Sequence, residues 1–134
     1  MRILCLDVGV KRTGVAISDP LGISANGVEI HLSRGYKADA LYFTEMARSR
    51  GCEMILLGLP LNMDGTEGER ASKVRAFGDL LEETSGLPVE YEDERLTSVE
   101  AEEILIEAGL SREERKKVID KVAAEIILRD YLNK

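Results

Sequence analysis

The chain has 134 residues, 44% of them hydrophobic and 32% charged, with a formal net charge of -7 and a pI of about 4.8. That length suits one domain, residues 1–134, built on one packed core. No run of roughly 18 apolar residues is present to cross a bilayer, and acidity on this scale argues against non-specific nucleic-acid binding by bulk charge.

The N-terminus opens as a strand, Arg2 to Asp7, without a charged-then-apolar signal pattern. Val8-Gly9-Val10-Lys11-Arg12 then turns the chain into a second run, Thr13 to Ser18, a spacing that predicts an antiparallel hairpin. A third strand is expected over Asn26 to His31, with His31 at its end as a surface residue. Tyr36 to Arg50 reads as a helix, placing Tyr36, Ala40, Phe43 and Ala47 on one face before Gly51 ends it. Met54-Ile55-Leu56-Leu57 is apolar throughout, as a central parallel strand covered on both faces must be.

A turn-rich loop from Gly58 to Gly68 leads into a helix from Glu69 to Thr84, and Gly86-Leu87-Pro88 separates that helix from a strand over Val89 to Glu92. Thr97 with Glu100, and Ser111 with Glu114, both have capping-box spacing. They predict a helix from Thr97 to Ala108, a short basic helix after Ser111, and a final helix from Val118 to Leu132. Strands alternating with helices define an α/β class. Cys5 and Cys52 make no metal-spaced pair and read as reduced, buried thiols of a cytoplasmic protein.

Three acids stand at the ends or on the inner faces of apolar elements. Asp7 closes the first strand in front of a glycine-bearing turn, where backbone can approach a phosphate. Glu94 follows the last strand, at the carboxyl end where open α/β sheets bind ligands. Asp120 shares a helix face with Ala123, Ala124, Ile127 and Tyr131, so it points toward the protein body. Carboxylates that converge in a cleft repel one another unless a cation or proton lies between them, and hard oxygen donors with no Cys/His set suit Mg²⁺ or Mn²⁺ over zinc. Basic residues collect locally at Lys11-Arg12, at Lys73 and Arg75, and from Arg112 to Lys121. Lys11, Arg12 and Arg95 are the candidates to touch substrate phosphates. Few aromatics are available for base stacking, so backbone shape is expected to matter more than sequence.

Four stretches taken in order, LDVGVKRTGVAISD (6–19), GLPLNMDGTEG (58–68), DERLTSVEAE (93–102) and IDKVAAEIILRDYL (119–132), resemble the YqgF/RuvX family. The resemblance covers Met1 to Leu132. It implies a ribonuclease H-like fold related to Holliday junction resolvases, with a mixed five-stranded sheet, second strand antiparallel, flanked by helices. It also implies a two-metal hydrolase of phosphodiester bonds acting in 5′-end processing of pre-16S rRNA. Asp7, Glu94 and Asp120 would then be both catalytic and metal-binding, and the partner a nucleic acid, pre-rRNA or a DNA junction. A DNA nuclease of the resolvase type, and a non-catalytic partner in RNA processing or transcription, are the alternatives. Neither membrane binding nor a dimer face is indicated.

Overall fold

The computed structural model describes residues 1–134. Strands β1 (Ile3–Val8), β2 (Arg12–Ser18) and β3 (Ala25–Leu32) form an antiparallel meander. After α1 (Tyr36–Ser49), strand β4 (Met54–Leu59) returns beside β1, now parallel to it. Helix α2 (Glu69–Ser85) carries the chain to β5 (Val89–Asp93), parallel to β4, and α3 (Thr97–Glu107) and α4 (Arg112–Leu132) complete the chain. The sheet order is β3-β2-β1-β4-β5, so β1 and β4 are central and the sheet is mixed, with β2 antiparallel to β1.

Strand alternation divides the core in two. Leu4, Leu6, Ile55 and Leu57 face α1 and α2, packing with Phe43 and Phe77, all of them buried. Ile3, Cys5, Met54 and Leu56 face the other way, against Ala124, Ile127 and Leu128 of α4. The same period that sends Ile3 and Cys5 toward α4 sends Asp7 there too. The middle of β4 is buried on both faces, as its unbroken apolar run requires.

Helix α4 lies unusually close to the sheet. A Cβ at Gly14 of β2 would collide with the backbone carbonyl of Asp120, and the amide of Gly27 in β3 donates to Glu125 Oε1 at 2.6 Å. Ala123 and Ala124, both buried, keep the helix side of this contact equally thin.

Three expectations change. The basic segment after Ser111 and the last helix are one continuous helix, because nothing between Lys117 and Val118 breaks the backbone pattern. Ser111 and Glu114 do form the capping box. Thr97 and Glu100 do not: Leu96 occupies the N-cap, no side chain caps it, and the Thr97 side chain is buried. His31 is buried, not superficial; its ring stacks on Tyr42 and its Nε2 lies 2.9 Å from Asp39 Oδ1. Replacing Gly14 by Ala is expected to destabilise the fold by about 1–3 kcal/mol or more, since the obstacle is backbone and cannot rotate aside; urea unfolding would measure it.

Candidate active site

At the carboxyl ends of β1 and β5 the chain brings two acids together across the strand between them. Asp7 comes from β1, Glu94 follows β5 directly, and β4 runs between with Gly58 at the crossing level. A Cβ on Gly58 would sit 2.7 Å from Glu94 Oε2 and 2.7 Å from Ile127 Cδ1. The missing side chain is therefore the space in which the Glu94 carboxyl lies. Asp7 and Glu94 are joined by a side-chain hydrogen bond, which requires a proton on one of them.

That proton belongs to Glu94. Burial, then the charge of Asp7 and the bond to it, push Glu94 up to about 9, with Arg70 opposing. Asp7 is also raised, by burial first and by the Asp120 charge, while the bond from Glu94 and the charge of Arg70 work the other way. Cys5 lies buried beneath the pair, its thiol pushed up by burial and then by Asp7 and Glu94.

Asp120 lines the same cleft, of about 330 Å³, together with Asp7, Glu94, Arg70 and Arg95. It is the third acid foreseen from sequence, but it is held apart. Arg12 Nε stands 3.2 Å from Asp120 Oδ2, an ion pair by distance. The N–H does not point at the oxygen, so Oδ2 is buried without a hydrogen-bond donor. As they stand, the three carboxylates do not close into a metal-binding cluster. The donor set nevertheless suits a hard cation: oxygen ligands only, one orphaned buried oxygen, and a pair sharing a proton that a cation could replace.

The basic candidates divide. Arg12 is in the site, half exposed and turned to Asp120. Arg95 lines the cleft but is engaged, its Nε 2.8 Å from Asp93 Oδ2 and its Nη1 donating to the Met63 carbonyl at 3.1 Å. Lys11 is exposed in the β1–β2 turn with no ionic partner.

Arg70 was missed by the sequence reading. It occupies the second position of α2, reaches the Val8 carbonyl at 3.2 Å, and is the cation that opposes the raised pKa of both Asp7 and Glu94. A signal did exist: a cation in the first turn of a helix works against the helix dipole, so its position calls for another cause. The Asn62-to-Gly68 loop is stitched to itself, Asn62 N donating to the Thr66 carbonyl at 2.8 Å and Thr66 Oγ1 to Asp64 at 2.6 Å.

The sequence matches the RuvX family, described as Holliday junction resolvase, over residues 1–134. The chain belongs to the RuvX family. Among the relatives of this RuvX member, a Streptococcus thermophilus protein provisionally named pre-16S rRNA nuclease is 49% identical over 138 residues, covering 100% of this chain and 99% of that one. A Streptococcus pyogenes serotype M5 protein of the same name is 50% identical over 137 residues, with the same coverage.

Two solved structures share the fold. RuvC of T. thermophilus in complex with a Holliday junction substrate aligns with a TM-score of 0.59 at 15% identity, over 98% of this chain and 93% of that one. The fowlpox virus resolvase with junction DNA aligns at 0.62 and 15%, over 99% and 97%. The mixed five-stranded sheet with its helices is accordingly of the ribonuclease H-like class.

The shared proton has a consequence for stability. An unfolded chain releases the Glu94 proton near pH 4.3, whereas the folded chain keeps it until about 9. Between those values the unfolded state binds fewer protons, so this group lowers stability as pH rises through the window. Glu94→Gln keeps a donor toward Asp7 and removes the titration. In EDTA its Tm should gain on wild type steadily from pH 5 to pH 9; a pH-independent difference would contradict the protonated pair.

Proposed function

We propose that this RuvX-family chain is a metal-dependent nuclease that hydrolyses phosphodiester bonds, with Asp7, Glu94 and Asp120 holding Mg²⁺ or Mn²⁺. The observation that carries the reading is the Asp7–Glu94 contact across Gly58, with Asp120 in the same cleft. The names of the half-identical relatives favour pre-16S rRNA as the substrate; action at its 5′ end, in the cytoplasm, is part of the proposal. The family description favours a DNA junction as the second reading.

Bound divalent cations would supply Lewis-acid stabilisation of the phosphate and a water acidic enough to serve as nucleophile near neutral pH. The chain's own residues have separate tasks. Asp7 and Glu94 give up their shared proton and offer hard oxygens. Arg12 leaves Asp120 for a substrate phosphate, which frees the third carboxylate. Arg70 and Lys11 add positive charge at the rim, and Arg95 braces the 60–68 loop against Asp93 while lining the floor. Phosphate contacts of this kind position the strand and carry no sequence information.

Cleavage of a pre-16S 5′ segment, single-stranded DNA and a four-way junction, each with Mn²⁺, Mg²⁺ or EDTA, tests the reading. Asp7→Asn and Asp120→Asn should each cost more than the roughly 10–100-fold that loss of an outer-shell partner costs a metal site. A folded wild type that cuts none of the substrates would leave a binding role in RNA processing or transcription.

Arg12 gives a separate outcome. Because it competes for Asp120, Arg12→Ala should bind Mn²⁺ about 1.5- to 5-fold more tightly without nucleic acid, the worth of a partly exposed ion pair. Titration calorimetry would measure it.

A further inference from the structure

A second cavity, of about 220 Å³, opens on the other side of the β1–β2 turn. Val8, Gly9 and Arg70 line both it and the acidic cleft, so the two are neighbours around one turn and share one cation. Its walls are Val8, Val74 and the rings of Tyr36 and Phe77, whose centroids are 5.3 Å apart. Phe77 is buried and fixed, while Tyr36 is 45% exposed, more than a helix-face core residue would be.

Two cations complete the lining, Arg70 and Lys73. Lys73 is held only by an exposed contact to Glu69 at 3.4 Å, and Arg70 by the Val8 carbonyl. At the polar end lie Ser33 and Asp39. Asp39 Oδ1 takes bonds from His31 and from the Arg34 amide, but Oδ2 takes only the Ser33 hydroxyl, at 2.7 Å. Burial works to raise Asp39, and the bonds from His31, Ser33 and Arg34 outweigh it, leaving it below the ordinary range. Asp39 is therefore an ionised acceptor with a free lone pair on Oδ2.

From this geometry we infer that the cavity is a subsite for one unpaired nucleobase of the nucleic-acid strand whose phosphate lies at the acidic cleft. The occupant follows from the chemistry. A planar, apolar-faced group suits the Tyr36–Phe77 wall, and an N–H edge suits Asp39. A phosphate on the same group suits Arg70 and Lys73, two cations on a chain whose net charge is -7. A lipid lacks the planar N–H edge, and an unmodified peptide lacks the phosphate. Arg70 then bridges subsite and cleft, which accounts for a cation in the first turn of α2. The subsite rests on the nuclease reading for the identity of the strand, and it gives that reading a preference for substrates with an unstacked nucleotide next to the cut.

The test uses the full chain in EDTA with fluorescent single-stranded RNA and DNA pentanucleotides, each intact or carrying an abasic residue at one position in turn. An abasic residue at one position is expected to weaken binding roughly tenfold, within the range for loss of one stacked base. Tyr36→Ala should erase that difference, and Asp7→Asn should retain it. Lys73→Ala should weaken intact and abasic strands alike and reduce the salt slope.

Equal binding of intact and abasic strands at every position would overturn the subsite. So would a base effect that survives in folded Tyr36→Ala. Cleavage of the pre-16S segment, single-stranded DNA and four-way junction with Mn²⁺ keeps the two readings apart: a base effect with none of them cut supports the subsite and overturns only the nuclease.

Discussion

Two carboxyl groups in hydrogen-bond contact at the carboxyl end of a sheet are a costly arrangement, and several features of this fold keep them there. Asp7 reaches the site because strand alternation continues the Ile3–Cys5 face by one more step. Glu94 reaches it because β5 ends one residue earlier and because Gly58, on the strand between, has no side chain to fill the gap. Burial makes both acids hold their protons more tightly than they would in water, and the proton they share is what lets the pair exist without a cation. A pair of this kind is poor for stability and well suited to exchanging a proton for a metal.

Helix α4 is the second element the site depends on. It lies close enough for its Asp120 backbone to exclude even a methyl group at Gly14, and its small residues Ala123 and Ala124 make that approach feasible. The closeness sets Asp120 at the rim of the cleft, where it meets Arg12 from β2. Charge in the site is thus balanced internally: an acid pair shares a proton, the third acid is answered by Arg12, and Arg70 faces the pair from α2. The overall acidity is therefore no obstacle to a nucleic-acid partner, because local cations, not net charge, face the cleft. Any such binding should still weaken as salt rises.

Much of this was legible in the residues. The hairpin, the apolar central strand and the order of strands and helices followed from alternation, turn spacing and run length. Asp7, Glu94 and Asp120 were each marked by position: a strand end, the residue after a strand, an apolar helix face. What sequence could not supply were the contacts made by long side chains across elements. Arg12 and Arg95 both read as phosphate contacts; in the folded chain Arg12 faces Asp120 and Arg95 is tied to Asp93 and Met63. His31 looked superficial because its partners, Asp39 and Tyr42, come from the following helix. Thr97 had capping-box spacing, but its side chain was taken by the core before it could cap. For His31 and Thr97, tertiary packing overrode a local pattern that was itself correctly read.

If the three acids hold divalent metal, the ion must sit among Asp7, Glu94 and Asp120. A crystal structure of the wild-type chain grown with Mn²⁺, with anomalous scattering locating the ion, tests it most directly. Mn²⁺ is expected bonded to Asp7, Glu94 and Asp120, with the Asp7–Glu94 hydrogen bond gone and Arg12 turned away from Asp120. An Asp7–Glu94 bond that persists in saturating Mn²⁺, with no anomalous peak in the cleft, would contradict it.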